Sequence, residues 1–175
     1  MIAGRDALGR GLFCAFAGGF ALVFAFWLEH AQGMAPCALC LWERVPYRLL
    51  LGTGIVWALF GFFGRTARPI WALAMLFACG ALVLSGLHVG VEQGWWPSPL
   101  PECQAPHFRP GLSFAERLAA MPARPAKPCD AANPLFPGSP VSVVSAGFAY
   151  ALVLCLVLLA AGPGRRRRFF GTRHG

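Results

Sequence analysis

A chain of 175 residues that is 57% hydrophobic and only 13% charged lacks the surface charge of a soluble domain, which is about a quarter charged. Its length suits one domain, and its composition points to a membrane before any motif is read. The formal charge of +8 does not imply nucleic acid, because most basic residues gather at the ends of apolar stretches, where they act as topology anchors, and Arg109, Arg117, Arg124 and Lys127 are spread through a long loop.

In chain order, Arg5 and Arg10 precede a charge-free apolar stretch over 11–28. This stretch is longer than the roughly 7–15-residue core of a secretory signal. Pro36 also follows the weak small-residue site Gly33-Met34-Ala35, so the segment reads as a retained first span rather than a cleaved leader. A second span is predicted over 42–64, its charge-free part from Leu49 being extended into the interface by the segment from Cys40 to Arg48. A third covers 69–91 and a fourth 141–161. Each is close to the ~20 residues that cross a bilayer, and in hydrocarbon each must be helical to satisfy its own backbone. The expected fold is an all-α membrane protein, a four-helix transmembrane bundle forming a single integral domain over 1–175.

Arg5 and Arg10, then Arg65 and Arg68, then Arg165 to Arg168 and Arg173 alternate to one side. The positive-inside rule makes that side, with both termini, cytoplasmic. The segments 29–41 and 92–140 are then outer, periplasmic loops of a bacterial inner membrane. Trp95 and Trp96 match an interfacial aromatic belt. The many prolines that follow exclude long helices, but Ser113-Phe114-Ala115-Glu116 fits a capping box. A short amphipathic helix there has Leu112, Phe114, Ala115, Leu118 and Met121 to lay on the membrane or on the bundle.

Seven cysteines divide by position. Cys14, Cys79 and Cys155 lie inside spans and read as small packing residues. Cys37, Cys40, Cys103 and Cys129 all fall on the outer side, where disulfides persist. Structural disulfides are credible for Cys103 with Cys129, but a Cys37–Cys40 bridge would constrain very little chain. A four-cysteine zinc site is disfavoured, because Cys103 and Cys129 are too far apart in sequence to make a second knuckle, and no metal is expected. Redox exchange between two dithiols fits the arrangement.

Cys37-Ala38-Leu39-Cys40 follows Pro36 at the start of the second helix. Proline favours that position, and free amides with the positive end of the helix dipole stabilise a thiolate there. Arg44 lies one turn beyond Cys40 on the same face, within expected reach of a Cys40 thiolate. Arg48 lies a turn further, with interface snorkelling as its alternative role. His88, near the outer end of the third span, either faces a ligand in the bundle or is a polar interface residue.

The run Pro36-Cys37-Ala38-Leu39-Cys40-Leu41-Trp42-Glu43-Arg44 resembles the signature of the disulfide bond formation protein B (DsbB) family, as do Leu28-Glu29-His30 and Trp96-Pro97-Ser98-Pro99 ahead of Cys103. The resemblance implies a quinone-dependent thiol oxidase. Cys103 and Cys129 would oxidise a periplasmic thioredoxin-like partner of the DsbA type, with the partner attacking Cys103. Cys129 would then attack Cys37, and Cys40 would be released as a thiolate beside bound ubiquinone or menaquinone, with Arg44 and His88 at the quinone site. The segment from Asp130 to Pro140 departs from the family pattern by lacking an aromatic after the last loop cysteine. Vitamin K epoxide reductase relatives, which run as reductases, place their loop cysteines before the membrane pair, the opposite order. A non-enzymatic scaffold with two structural disulfides is the alternative outside redox chemistry.

Overall fold

The computed structural model describes residues 2–63, 68–100, 103, 113–119, 128–136 and 138–162. Five helices follow one another: α1 (Ile2–Ala31), α2 (Ala38–Phe62), α3 (Arg68–Glu92), α4 (Phe114–Ala119) and α5 (Val143–Ala160). Four of them, all but α4, are long and apolar enough to cross a membrane. There is no strand among the described residues, only an isolated bridge between Pro134 and Ser142.

Helix α1 begins well before the apolar stretch from Gly11, because the charge boundary marks the hydrocarbon edge and not the end of helical propensity. Ala, Leu and Arg ahead of it are all good helix formers. Helix α2 starts at Ala38 with Cys37 as its cap, the Cys37 sulfur accepting from the Cys40 amide at 3.2 Å. The helix continues through Pro46, which a membrane helix tolerates where neighbours satisfy the freed carbonyl. Ser142 caps α5, its hydroxyl accepting from the Ser145 amide at 3.0 Å.

Helices α1 and α2 meet backbone to backbone. A Cβ on Gly11 would lie 2.2 Å from the Ala58 nitrogen, one on Gly54 2.3 Å from that of Ala15, and one on Gly61 2.2 Å from that of Leu8. Small residues at such a seam replace the missing hydrophobic drive between helices in lipid with close van der Waals contact. Cys14 fills the same seam and is fully buried. Helix α5 is tied to α1 by the Tyr150 hydroxyl donating to the Ala17 carbonyl at 2.8 Å. It is tied to α3 by the Trp71 indole donating to the Leu158 carbonyl at 3.2 Å. The outward faces carry bare apolar side chains such as Phe16, Phe62 and Val83, an apolar exposure that belongs in lipid rather than in water.

Beyond α3 the chain folds back. Trp96 donates to the Leu87 carbonyl at 3.1 Å, and its ring occupies the space a side chain on Gly90 would need. Trp96 is thus pinned to α3, although it and Trp95 are both exposed. The Ser113–Glu116 capping box forms: the Glu116 carboxylate accepts from the Ser113 amide at 2.8 Å, and the Ser113 hydroxyl accepts from the Glu116 amide at 3.4 Å. Phe114 on α4 is exposed rather than packed on the bundle. Leu112 and Met121, and the basic residues Arg65, Arg165 to Arg168 and Arg173, lie outside the described residues.

Candidate redox site

The site lies at one end of the bundle, where the last turns of α1 and α3 meet the first turns of α2 and α5. The Cys37 and Cys40 sulfurs are 2.8 Å apart and both cysteines are free thiols. The spacing of three residues at a helix start puts the first sulfur over the open amides and the second one turn inside. The Cys37 thiol is held below the ordinary cysteine range, chiefly because the Cys40 thiol donates to its ionised form and, secondarily, because the Cys40 amide does. Burial and the Glu43 carboxylate oppose this.

His88 comes from α3 and is almost fully buried. Its Nε2 lies 3.6 Å from the Cys37 sulfur, and its Nδ1 lies 2.9 Å from the Glu43 carboxylate. His88 is thus an interior residue rather than an interface one, but it faces Cys37 and Glu43 and is not among the residues that line the cavity beside Cys40. Glu43 has no role that the sequence alone assigns, and here it is the partner of His88. The signal for it was there, since an ionisable side chain inside a span edge requires a partner.

Arg44 is buried, as its helical phase requires, but the contact expected with Cys40 is not the one it makes. Its guanidinium is 2.9 Å from the Glu29 carboxylate of α1 and 5.0 Å from the centre of the Phe26 ring. An arginine in an apolar wall needs a fixed counter-charge, and Glu29 supplies it. The residue against the cysteine pair is His88. Arg48 is exposed, which suits snorkelling.

Cys103 and Cys129 form a disulfide with their Cα atoms 4.9 Å apart, and the Cys129 amide donates to the Cys103 carbonyl at 3.3 Å. Both are buried in one cluster with Cys37, Leu39 and Val91, against which Cys40 and Leu87 also pack. The structure thus brings together Cys37, Cys40, Cys103, Cys129 and His88. On the other side of Cys40 a cavity of about 270 Å³ opens between α1, α2 and α5. Its walls are mostly apolar, with Phe24 and Leu28 among them, and Glu29, Glu43, Arg44, Tyr47, Asn133 and Tyr150 are the polar side chains reaching it.

Over residues 10–161 the sequence matches the family model described as Disulfide bond formation protein DsbB. The Disulfide bond formation protein B of Acinetobacter baumannii is 32% identical over 144 residues, covering 78% of this chain and 79% of the relative. The protein of the same name from Acinetobacter baylyi is 33% identical over 101 residues, 58% of this chain and 55% of the relative. That of Aromatoleum aromaticum is 34% identical over 100 residues, 55% and 56% respectively. In these last two the chain spans little more than half of the relative's length. No solved structure matches the chain. The family match over most of the chain, together with four spanning helices and a cysteine pair capping the second, places this protein in the DsbB family of membrane disulfide bond formation proteins.

Proposed function

We propose that this chain is a disulfide oxidase of a bacterial inner membrane that reoxidises a periplasmic dithiol protein of the DsbA type and delivers the electrons to a membrane quinone, ubiquinone or menaquinone. The observation that carries the reading is the continuity of the site. The Cys103–Cys129 disulfide is buried against Cys37, and Cys40, next to Cys37, lines an apolar cavity.

Exchange proceeds by thiolate attack on a disulfide sulfur. A partner thiolate opens the outer disulfide at Cys103, and the partner's second thiol closes the partner's own disulfide, leaving Cys103 and Cys129 as a dithiol. Cys129 then attacks Cys37 of an oxidised inner pair, releasing Cys40. Cys103 displaces Cys37 to restore the outer bond, so two electrons and two protons end on the inner dithiol that the structure holds. Cys103 and Cys129 are both buried, so docking of the partner has to uncover them.

The cavity fits a lipid-soluble ring. It is mostly apolar, lies beside a thiol, and carries Arg44 as a fixed positive group. A bound quinone would supply a two-electron acceptor. The chain's own residues do the rest. Glu43 holds the His88 ring, whose Nε2 takes up or returns the Cys37 proton. Glu29 keeps Arg44 at the cavity wall. The apolar lining keeps water from the exposed sulfur.

Replacing the partner's resolving cysteine traps its mixed disulfide, expected on Cys103. Cys40→Ala is expected to abolish quinone reduction while leaving that adduct intact. Capture on Cys37 would overturn the order of the relay. Full quinone reduction by Cys40→Ala would overturn the enzyme reading.

A further inference from the structure

The Cys37 sulfur, the Cys40 sulfur and a ring nitrogen of His88 all lie within 4.8 Å of one another. Two thiolates and an imidazole make a borderline-soft donor set suited to zinc. The four-cysteine arrangement set aside on spacing is a different site, because here the third donor comes from α3.

Three features of the geometry favour a metal. The Glu43 carboxylate accepts from His88 Nδ1 at 2.9 Å, which fixes the proton there and leaves the Nε2 lone pair facing the sulfurs. Such a carboxylate behind a histidine is the usual outer support of a zinc ligand. Next, tetrahedral zinc with bonds of about 2.3 Å to sulfur and 2.05 Å to nitrogen spaces its sulfur and nitrogen donors about 3.6 Å apart, and two sulfurs about 3.8 Å apart. The Cys37–His88 distance is already 3.6 Å. The sulfurs, at 2.8 Å, need to part by about 1 Å on that geometry, within the reach of one side-chain rotation. Lastly, Cys40 borders the cavity, so the metal has an approach from that side.

We infer that the reduced inner cysteine pair, with His88, forms a zinc site that exists only in the dithiol state. Zinc binds the two sulfurs and Nε2 and displaces the remaining thiol protons, and no electron moves. Oxidation to the Cys37–Cys40 disulfide destroys two of the three donors. Zinc and disulfide formation therefore exclude each other, and free zinc holds the pair reduced. The inference goes beyond the oxidase reading and does not depend on which acceptor the cavity takes.

The test uses full-length, quinone-depleted protein in detergent with Cys103→Ser and Cys129→Ser, so that no second dithiol competes. After reduction and removal of the reductant, Co²⁺ is added as the probe and Zn²⁺ as its competitor. The expected result is one Co²⁺ per chain, with the near-ultraviolet thiolate-to-cobalt absorption and strong visible bands of tetrahedral geometry, displaced by one Zn²⁺. Cys37→Ser and the oxidised protein should show neither band. His88→Ala should lose the tetrahedral signature. Glu43→Gln, which keeps the fold's packing, should retain the spectrum with affinity lowered by roughly 10–100-fold. Binding that survives oxidation, or that is unchanged in both His88→Ala and Glu43→Gln, would overturn the inference, as would the absence of any cobalt spectrum in the reduced protein. Failure of cobalt to bind leaves quinone turnover untouched, so it would not count against the oxidase reading.

Discussion

The Arg44–Glu29 pair joins α2 to α1 beside the cavity, and its strength follows from its surroundings. At the 2.9 Å separation and an effective dielectric of about 20, the direct attraction is about 6 kcal/mol before solvation. Orphaning one member of a fully buried pair typically costs roughly 3–5 kcal/mol. Glu29 keeps 28% of its side chain exposed against 9% for Arg44, so water substitutes for part of the loss. The expected coupling is therefore about 2 kcal/mol, or about 30-fold in the unfolding equilibrium. Glu29→Gln, Arg44→Gln and the double variant, unfolded reversibly in mixed micelles, isolate that energy as a cycle. Phe26→Leu separately removes the ring under the guanidinium, expected to weaken the fold by about 0.5–1 kcal/mol. A cycle energy below about 0.5 kcal/mol would refute the reasoning and reduce the contact to an unimportant surface-like pair.

Further outcomes are expected. Gly54→Ala puts a methyl 2.3 Å from the Ala15 nitrogen, where backbone cannot yield, and should destabilise the bundle by roughly 1–3 kcal/mol; an unchanged unfolding midpoint would disprove the tight seam. Tyr150→Phe deletes the bond to the Ala17 carbonyl and should lower stability by about 1 kcal/mol in the same assay. Because the Cys37 thiol is held below the ordinary range, its alkylation by iodoacetamide should set in at lower pH than that of a free cysteine. Cys40→Ala should shift that onset upward, and a profile matching a free thiol in both proteins would contradict the cause given. In the reduced protein the same depressed value adds stability that is complete above the unfolded thiol's pKa and is lost as pH falls through the folded one, which pH-dependent unfolding measures. Finally, Cys37→Ala protein loaded with quinone is expected to show a long-wavelength absorption at pH values that ionise Cys40, and its absence would remove Cys40 from contact with the ring.

The spans, the capping position of Cys37 and the Ser113–Glu116 box were legible because each depends on neighbours in sequence: an apolar run, a proline before a helix, a serine three residues ahead of a glutamate. The inward phase of Arg44 was legible for the same reason. Its partner was not, because Glu29 belongs to the neighbouring helix and the pairing depends on how α1 and α2 cross. The glycines that set that crossing are scattered singly through two apolar runs, where hydropathy hides them. Whether His88 lies at the interface or in the interior is set by Glu43 behind it, a relation between α2 and α3 that no local pattern encodes.

The backbone contact between α1 and α2 also decides which wall of the cavity is able to yield. With Gly11, Gly54 and Gly61 nested against bare main chain, a slip by one residue would drive bulky neighbours such as Leu12 or Ile55 into the facing peptide groups, so these two helices behave as a single rigid plank. Helix α5 faces that plank through deformable rings, Phe20 against Tyr150. Any widening to admit or discharge a guest must then come from the remaining walls, α5 and the segments at 34–36 and Asn133, while the plank keeps the sulfur and the guanidinium in register.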